Sequence, residues 1–416
     1  MHQREIIPRH LKFLLTESIE VSPVTLIHGP RQCGKTTLAK NVGQPLGYSY
    51  LTLDDADTRM IAKNDPMGFI SDCPDQAILD EVQLVPELFR ILKLSVDRNR
   101  KPGRFVLTGS TSLLLVPELA DALVGRMEVL RLHPLSQQEI EQTQSRPFLE
   151  RLFAGDFQTR PKKRLAKNLV DRIVAGGYPA ALARPPGRGH TVWHRDYVNN
   201  IIQKDILDLA KIRSLEVIPK LLTVAANLSG QLFNATALAS KLRMNRITVR
   251  DYATLLEHQF LIERLPPWYS NRMKRLIKTP KIHFCDTGMA CSLLGVDTNA
   301  LLKNRGLLGQ LVETFVFQEL KRQASSSDEP YVFHHFRDRD GVEVDMVIER
   351  GAFELAGIEV KAAASISKSD FKGLRKIKAA YPDKFTFGAV LYDGEICGSF
   401  GDGMYIVPIR MLWESD

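Results

Sequence analysis

An α/β fold divided among several domains is predicted by three features of this 416-residue chain. Short apolar runs alternate with helical stretches through the first third, the pattern of a parallel sheet covered by helices on both faces. From about residue 136 to 228 the pattern turns mainly helical. Beyond about residue 306 a long helix gives way to strands with period-two alternation. At about 150 residues per domain the length suggests two or three domains. Hydrophobic residues at 44% and charged residues at 25% allow a sizeable core and exclude wholesale disorder. No apolar run of about 18 residues occurs, so no membrane-spanning helix is expected. The start, Met1-His2-Gln3-Arg4-Glu5, has no signal-peptide core, and a cytoplasmic chain is expected. Cys33, Cys73, Cys285, Cys291 and Cys397 form no CxxC pair, which points to neither a disulfide framework nor a zinc site.

The first strand is predicted at 24–28 and the first long helix from Lys35. Between them Gly29-Pro30-Arg31-Gln32-Cys33-Gly34-Lys35-Thr36 matches GxxxxGK[ST] in the strand–loop–helix context that the motif needs. Glycines let backbone N–H groups converge on phosphate oxygens, and the helix N-terminus adds positive potential. Lys35 is the candidate catalytic cation for the β- and γ-phosphates of ATP. The Thr36 hydroxyl is a candidate Mg²⁺ ligand, and Thr37 extends the helix start. Further strands are predicted at 48–53, 76–79 and 104–107. The second of these ends in Asp80-Glu81. Asp80 is expected to hold the water shell of Mg²⁺, and Glu81 to act as general base on the attacking water.

The third strand runs into Thr108-Gly109-Ser110. Thr108 and Ser110 are candidates to place that water or sense the γ-phosphate, with strand-end capping as the other reading. A helix is predicted at 117–124 and a strand at 127–132. Arg126 between them is a candidate arginine finger for a neighbouring subunit's nucleotide, or a structural arginine paired with an acid.

Gly176-Gly177-Tyr178-Pro179 and Arg184-Pro185-Pro186-Gly187 read as turns. Helices at 234–242 and 245–257, joined at Met244-Asn245 and followed by strands at 261–265 and 281–285, predict a winged helix-turn-helix. Ala237, Leu238, Leu242, Val249, Tyr252, Leu255 and Leu256 are its expected core. Asn245, Arg246, Thr248 and Arg250 open the second helix, where a recognition helix meets base edges and phosphates. Lys274, Arg275 and Lys278 fall in the expected wing. A lid or subunit contact is the competing reading. Net charge is +8 overall, and residues 241–281 carry ten Lys/Arg against three acids. So concentrated a basic segment suggests a polyanion partner, here DNA, unless it is simply a solvated face.

At the C-terminus a helix is predicted at 309–323, then a polar loop, then strands at 342–348, 357–360 and 386–391. Asp345 lies on the first of these strands. Glu359 and Lys361 lie two apart on the second and so share a face. With an acid from the preceding helix, for which Glu313 is placed, the set resembles the D…ExK core of restriction-endonuclease-like nucleases. There two carboxylates hold Mg²⁺ and a lysine assists the attacking water. An inactive binding platform is the alternative. So is a plain same-face Glu359–Lys361 pair, worth about 0.2–1 kcal/mol.

Taken together, Gly-Pro-Arg-Gln-x-Gly-Lys-Thr-Thr-Leu (29–38), Leu-Asp-Glu-Val-Gln (79–83), Leu-Thr-Gly-Ser (107–110) and Leu-Val-Gly-Arg (123–126) resemble the prokaryotic AAA+ ATPases that carry a C-terminal domain of unknown function, DUF4143. So do Pro-Leu-Ser (134–136), Gly-Gly-Tyr-Pro (176–179), residues 274–288, Glu-Val-Asp (343–345) and Ile-Glu-Val-Lys (358–361). Val124 stands where that family more often has a small residue. The resemblance spans nearly the whole chain. It implies an AAA+ core at 1–135, a helical lid at 136–210, a winged helix at 211–300 and a restriction-endonuclease-like domain at 301–416. It also implies a homo-oligomer, with a hexamer as the expected size. The expected activity is Mg²⁺-dependent ATP hydrolysis coupled to binding or remodelling of DNA, including branched or single-stranded DNA. The alternatives are a signalling NTPase that binds a protein partner and an ATP-regulated nuclease.

Overall fold

The computed structural model describes residues 6–110, 125–206, 217–269 and 279–414. The predicted helix at 117–124 lies outside the described residues, as do Lys274, Arg275 and Lys278. The chain forms two compact units, residues 1–135 with 258–260, and the remainder. Among the described residues no helix is long and apolar enough to cross a membrane. None of the five cysteines is in a disulfide.

The first unit is built on β1 (Val24–His28), β2 (Ser49–Thr52), β3 (Ala77–Asp80), β4 (Phe105–Gly109) and β5 (Met127–Arg131). They form one parallel sheet in the order β2-β3-β4-β1-β5. Strands β1, β3 and β4 are buried at every position, which is why they read as unbroken apolar runs. Alternate residues feed two separate cores. Ile27, Ile78 and Val106 pack with α1 (Lys12–Val21) and α2 (Lys35–Gly43) on one face. Leu26, Leu79 and Leu107 pack on the other with α3 (Ala56–Asn64), α4 (Pro66–Asp72) and α5 (Leu88–Arg98). Because β4 lies between β1 and β3, the carboxyl ends of all three strands open along one edge of the sheet.

The second unit contains β6 (Arg160–Pro161), the short strands β7 (Gln231–Leu232), β8 (Ile262–Leu265) and β9 (Lys281–Phe284), and the longer strands β10 (Tyr331–Arg337), β11 (Glu343–Arg350), β12 (Glu354–Lys361), β13 (Phe385–Tyr392), β14 (Ile396–Gly401) and β15 (Met404–Pro408). A three-stranded antiparallel sheet, β7-β9-β8, is interleaved with the helices Val217–Asn227, Ala235–Leu242 and Arg246–His258, β7 following the first of them and β8 and β9 following the last. A mixed seven-stranded sheet runs β10-β11-β12-β13-β15-β14-β6. The helix Arg305–Ala324 is buried along most of its length, although Glu313, Thr314, Gln318, Glu319, Arg322 and Gln323 are among its buried residues. Several of its buried polar groups are paired. Glu319 accepts from the Gln137 N–H at 2.8 Å and from Arg322 at 2.6 Å. Gln318 donates to the Phe284 carbonyl at 3.0 Å and Gln323 to the Leu412 carbonyl at 2.7 Å.

Two features depart from expectation. Strands β10, β14 and β15 were not legible, because the aromatic and histidine run of β10 and the glycines of β14 break simple alternation. Ala237, expected in the core, is exposed. The buried stripe of its helix is Ala235, Leu238 and Ala239, and Ala237 points off that face.

Asp286 pins the turn at Gly176-Gly177. Its carboxylate is fully buried. It accepts from the Gly177 N–H at 2.7 Å and caps the helix Thr287–Leu294 by accepting from the Met289 N–H at 3.2 Å. Gly176 has φ +70°, and a Cβ there would stand 2.1 Å from an Asp286 oxygen, so only glycine fits. Asp286→Ala leaves buried donors without a partner and is expected to lower stability by about 1–3 kcal/mol, measured as a lower urea midpoint by circular dichroism.

Candidate functional site

The loop after β1 is shaped by its glycines. Gly29 has φ +155°, and a Cβ on it would lie 2.1 Å from the Leu132 carbonyl oxygen. Gly34 has φ +106° and leads directly into α2, which has no side-chain cap. First-turn N–H groups of an uncapped helix have no intrahelical partner, which suits them to an anion. Lys35 is buried, and its ammonium donates to the carbonyls of Gly29 at 3.1 Å and Pro30 at 2.8 Å, so the charge is held across the loop. Arg9 braces the same loop from outside the motif, donating to the Cys33 carbonyl and the His133 carbonyl at 2.6 Å each. The Cys33 side chain points inward, its thiol donating to the Leu132 carbonyl at 3.5 Å, and burial raises its pKa.

Asp80, at the end of β3, is where the pieces meet. The Thr36 hydroxyl donates to Oδ1 at 2.8 Å, the Tyr50 hydroxyl donates to Oδ2 at 2.8 Å, and Thr108 also donates to Oδ1. Burial and the bond to Asp80 push the Tyr50 phenol up to about 12. Glu81 adopts φ +58°, a left-handed conformation that turns its side chain away from that of Asp80. Such backbone in a non-glycine residue costs of order 1 kcal/mol or more and is kept where the surroundings enforce it. Its N–H donates to the Thr108 hydroxyl at 3.2 Å. Its carboxylate accepts from Ser110 at 2.9 Å and from the Gln83 amide, and Gln83 also donates to Ser110 at 2.8 Å. Thr108 thus serves Asp80 and Ser110 serves Glu81. The glycine cradle, the ammonium, and a hydroxyl beside a carboxylate are a donor set that fits a nucleoside triphosphate with Mg²⁺.

Arg126 is not brought to this loop. It pairs with Asp97 on α5, Nε to Oδ1 at 2.6 Å and Nη2 to Oδ2 at 3.1 Å, the structural pairing that was the other reading of that residue. The arginine holds the Asp97 carboxyl below its ordinary range.

In the second unit Glu313, Asp345, Glu359 and Lys361 do come together, with a residue that was not expected. Lys281, first in β9, places its ammonium 2.7 Å from Glu313 Oε1 and 3.0 Å from Asp345 Oδ1. The other Asp345 oxygen accepts from the Val360 N–H at 2.9 Å, and Lys361 donates to Glu359 at 2.6 Å. Burial, with Asp345 adding repulsion, pushes Glu313 and Glu359 each up to about 8. Burial acts upward on Asp345 as well, but Lys281 holds it below its ordinary value. His283, fully buried, is pushed down to about 3 and His335 to about 4, by burial first and Lys281 second. Among the described residues no group of three or more His, Cys, Asp or Glu is disposed to hold a metal ion. The expected ligand set of Glu313, Asp345, Glu359 and Lys361 is instead filled by its own lysines.

On the helix Arg246–His258, Arg246 and Arg250 are exposed, and Thr248 is half-buried. Asn245 is spent as a cap, accepting from the Ile247 N–H at 2.8 Å. The basic segment is less free than its charge count suggests. Arg264 is tied to Glu257 at 2.7 Å, and Lys281 is buried in the acidic cluster. Sequence reasoning missed Arg9, Tyr50, Gln83 and Lys281. Gln83 belongs to the Leu-Asp-Glu-Val-Gln run that begins at the end of β3, and Lys281 is one of the ten cations of residues 241–281 yet is buried.

Residues 21–141 match the AAA domain family AAA_14, and residues 308–412 match the domain of unknown function DUF4143. Residues 166–300 match a further domain of unknown function, DUF8612. An uncharacterised protein of Mycobacterium tuberculosis is 28% identical over 401 residues, covering 96% of this chain and 82% of its own. One from Haemophilus influenzae is 26% identical over 333 residues, covering 77% and 74%. The Walker-type ATPase of Pyrococcus abyssi is similar over 70% of this chain and 97% of its own, at 15% identity and a TM-score of 0.42.

The acidic cluster makes a pH prediction. Glu313 and Glu359 bind protons more tightly folded than unfolded, so their stabilisation is full below 4.5 and is lost as pH rises to about 8. His283 and His335 act oppositely, adding stability above 6.5 that is lost as pH falls toward 4 and 3. The two effects oppose between 4.5 and 6.5, and above 6.5 the carboxyls act alone. The melting temperature of the second unit is expected to fall from pH 6.5 to 8, and Glu313→Gln to flatten that slope.

Proposed function

We propose that this chain, an ATP hydrolase with an AAA domain at 21–141, couples ATP turnover at its 29–36 loop to the binding or remodelling of DNA by its C-terminal unit. The observation that carries the first half is the hydrogen-bonded set Thr36–Asp80–Thr108, which joins the phosphate loop to the Asp-Glu strand end. Phosphate oxygens are received by the N–H groups of the loop and of the first turn of α2. Lys35 exchanges its bonds to Gly29 and Pro30 for the β- and γ-phosphates, an exchange of neutral acceptors for charged ones. Mg²⁺ supplies charge neutralisation across those phosphates, and Thr36 and Asp80 are the residues to hold it. Glu81, once freed from Ser110 and Gln83, takes the proton of the attacking water. Thr108 keeps Asp80 oriented throughout.

The DNA half rests on the second unit. The order β7, two helices, β8 and β9, with the three strands in one antiparallel sheet, suits a winged helix-turn-helix, and Arg246 and Arg250 stand exposed four residues apart on one helix face. A protein partner is the second reading, and it is favoured by Ile247, which is 66% exposed between those arginines. Assembly into a homo-oligomer belongs to the proposal. Met60 and Ile61 on α3 and Met67 on α4 are exposed apolar side chains available for contacts between copies.

Lys35→Ala is expected to abolish ATP binding in a fluorescent-nucleotide titration, and normal affinity would remove the loop from its role. Glu81→Gln should bind ATP normally and turn it over roughly 10²- to 10⁴-fold more slowly, measured by phosphate release. Full turnover would take Glu81 out of the base role. Replacing Arg246 and Arg250 together by Ala should weaken DNA binding and reduce the salt slope of log K by about 2. Fluorescence anisotropy with single-stranded, duplex and branched DNA checks this, and unchanged affinity for all three would favour the protein-partner reading.

A further inference from the structure

Two buried carboxylates, Glu313 and Asp345, and the partly buried Glu359, in an arrangement that resembles a divalent-ion site, should be costly to ionise without a cation, because a desolvated charge is unfavourable unless it is paired. Here the pairing comes from within the chain. The Lys281 ammonium bridges Glu313 Oε1 at 2.7 Å and Asp345 Oδ1 at 3.0 Å, with its side chain only 5% exposed. A divalent ion bridging the same two oxygens at about 2.1 Å would have to occupy the volume of that ammonium. The lysine is also delivered rigidly. It opens β9, whose backbone is registered on both sides, Lys281 opposite Leu232 and opposite Leu265. The second Asp345 oxygen is taken by the Val360 N–H, and Glu359 Oε1 by Lys361.

We propose that Lys281 is the resident cation of this cluster, so that the C-terminal domain folds with a lysine where a metal nuclease holds its ion, and a divalent-cation site opens only when that ammonium is removed. Two buried atoms mark what such a site would gain. Glu359 Oε2 and His283 Nε2 have no hydrogen-bond partner. His283 itself is fully buried, with Nε2 4.0 Å from Glu313 Oε1, and its other ring nitrogen is held by Thr314 at 3.0 Å. Cleavage chemistry through Mg²⁺ at Glu313, Asp345 and Glu359 is therefore blocked in this state by charge and by volume, whatever happens at the ATP loop.

The test is Mn²⁺ binding to the full chain without nucleotide, followed by the electron paramagnetic resonance of the free ion. Wild type and Asp345→Asn are expected to bind the same number of ions, since ions at the ATP loop are common to both. Lys281→Met is expected to gain one ion per chain, and to lose it again when combined with Asp345→Asn. Lys281→Gln serves as the second variant should Lys281→Met fail to fold, judged by circular dichroism. An ion bound by wild type and lost in Asp345→Asn overturns the proposal. So does a folded Lys281 variant that gains none, or an anomalous Mn²⁺ peak between Glu313 and Asp345 in wild-type crystals soaked with MnCl₂.

Discussion

The carboxylate of Asp80 receives hydroxyl protons from three different segments, Thr36, Tyr50 and Thr108. These meet because β4 lies between β1 and β3, so that the carboxyl end of each strand faces the same point. Asp80 thereby ties the phosphate loop, through Thr36, to β2 and β4. A carboxylate accepting several hydrogen bonds is held in one rotamer, and the loop it anchors inherits that rigidity. Glu81, its neighbour, is turned aside by a left-handed backbone and tied to Ser110 and Gln83. Two adjacent acids are thereby given different surroundings.

The second unit handles charge in another way. Several of its acids and bases are buried together. Asp286 organises a turn and a helix start. Glu319 joins Arg322 and the Gln137 N–H, and Lys281 lies between Glu313 and Asp345. Removing one partner from such a set strands the others in a poor dielectric, so these groups behave as units. The basic excess of residues 241–281 shrinks accordingly. Arg264 is paired with Glu257 and Lys281 is neutralised inside the protein, and among the described residues the exposed Lys241, Arg243, Arg246 and Arg250 carry what remains of the argument for a polyanion.

Much of the nucleotide site was legible from the chain because its signal is local. A glycine-rich loop between a strand and a helix, and two acids after a buried strand, are short contiguous patterns with one physical meaning each. The same was true of Glu359 and Lys361, whose spacing of two places them on one face of β12. Arg126 was ambiguous for the converse reason. Its partner Asp97 lies on another element, and no spacing rule connects them. Arg9 and Tyr50 were invisible for the same reason, since each acts across a distance in sequence on a residue it does not resemble.

By itself the sequence determined the kind of chemistry at the first site and the order of α and β elements around it, since hydrophobic period and turn chemistry act over a few residues. It also set which residue types would be available at the second site. Only the tertiary structure decided which charge meets which. Glu313, Asp345 and Glu359 read as ligands awaiting an ion until β9 is seen to carry Lys281 between two of them. A buried carboxylate pairs with whichever cation the packing of separate elements delivers, and that delivery depends on contacts far apart in the chain.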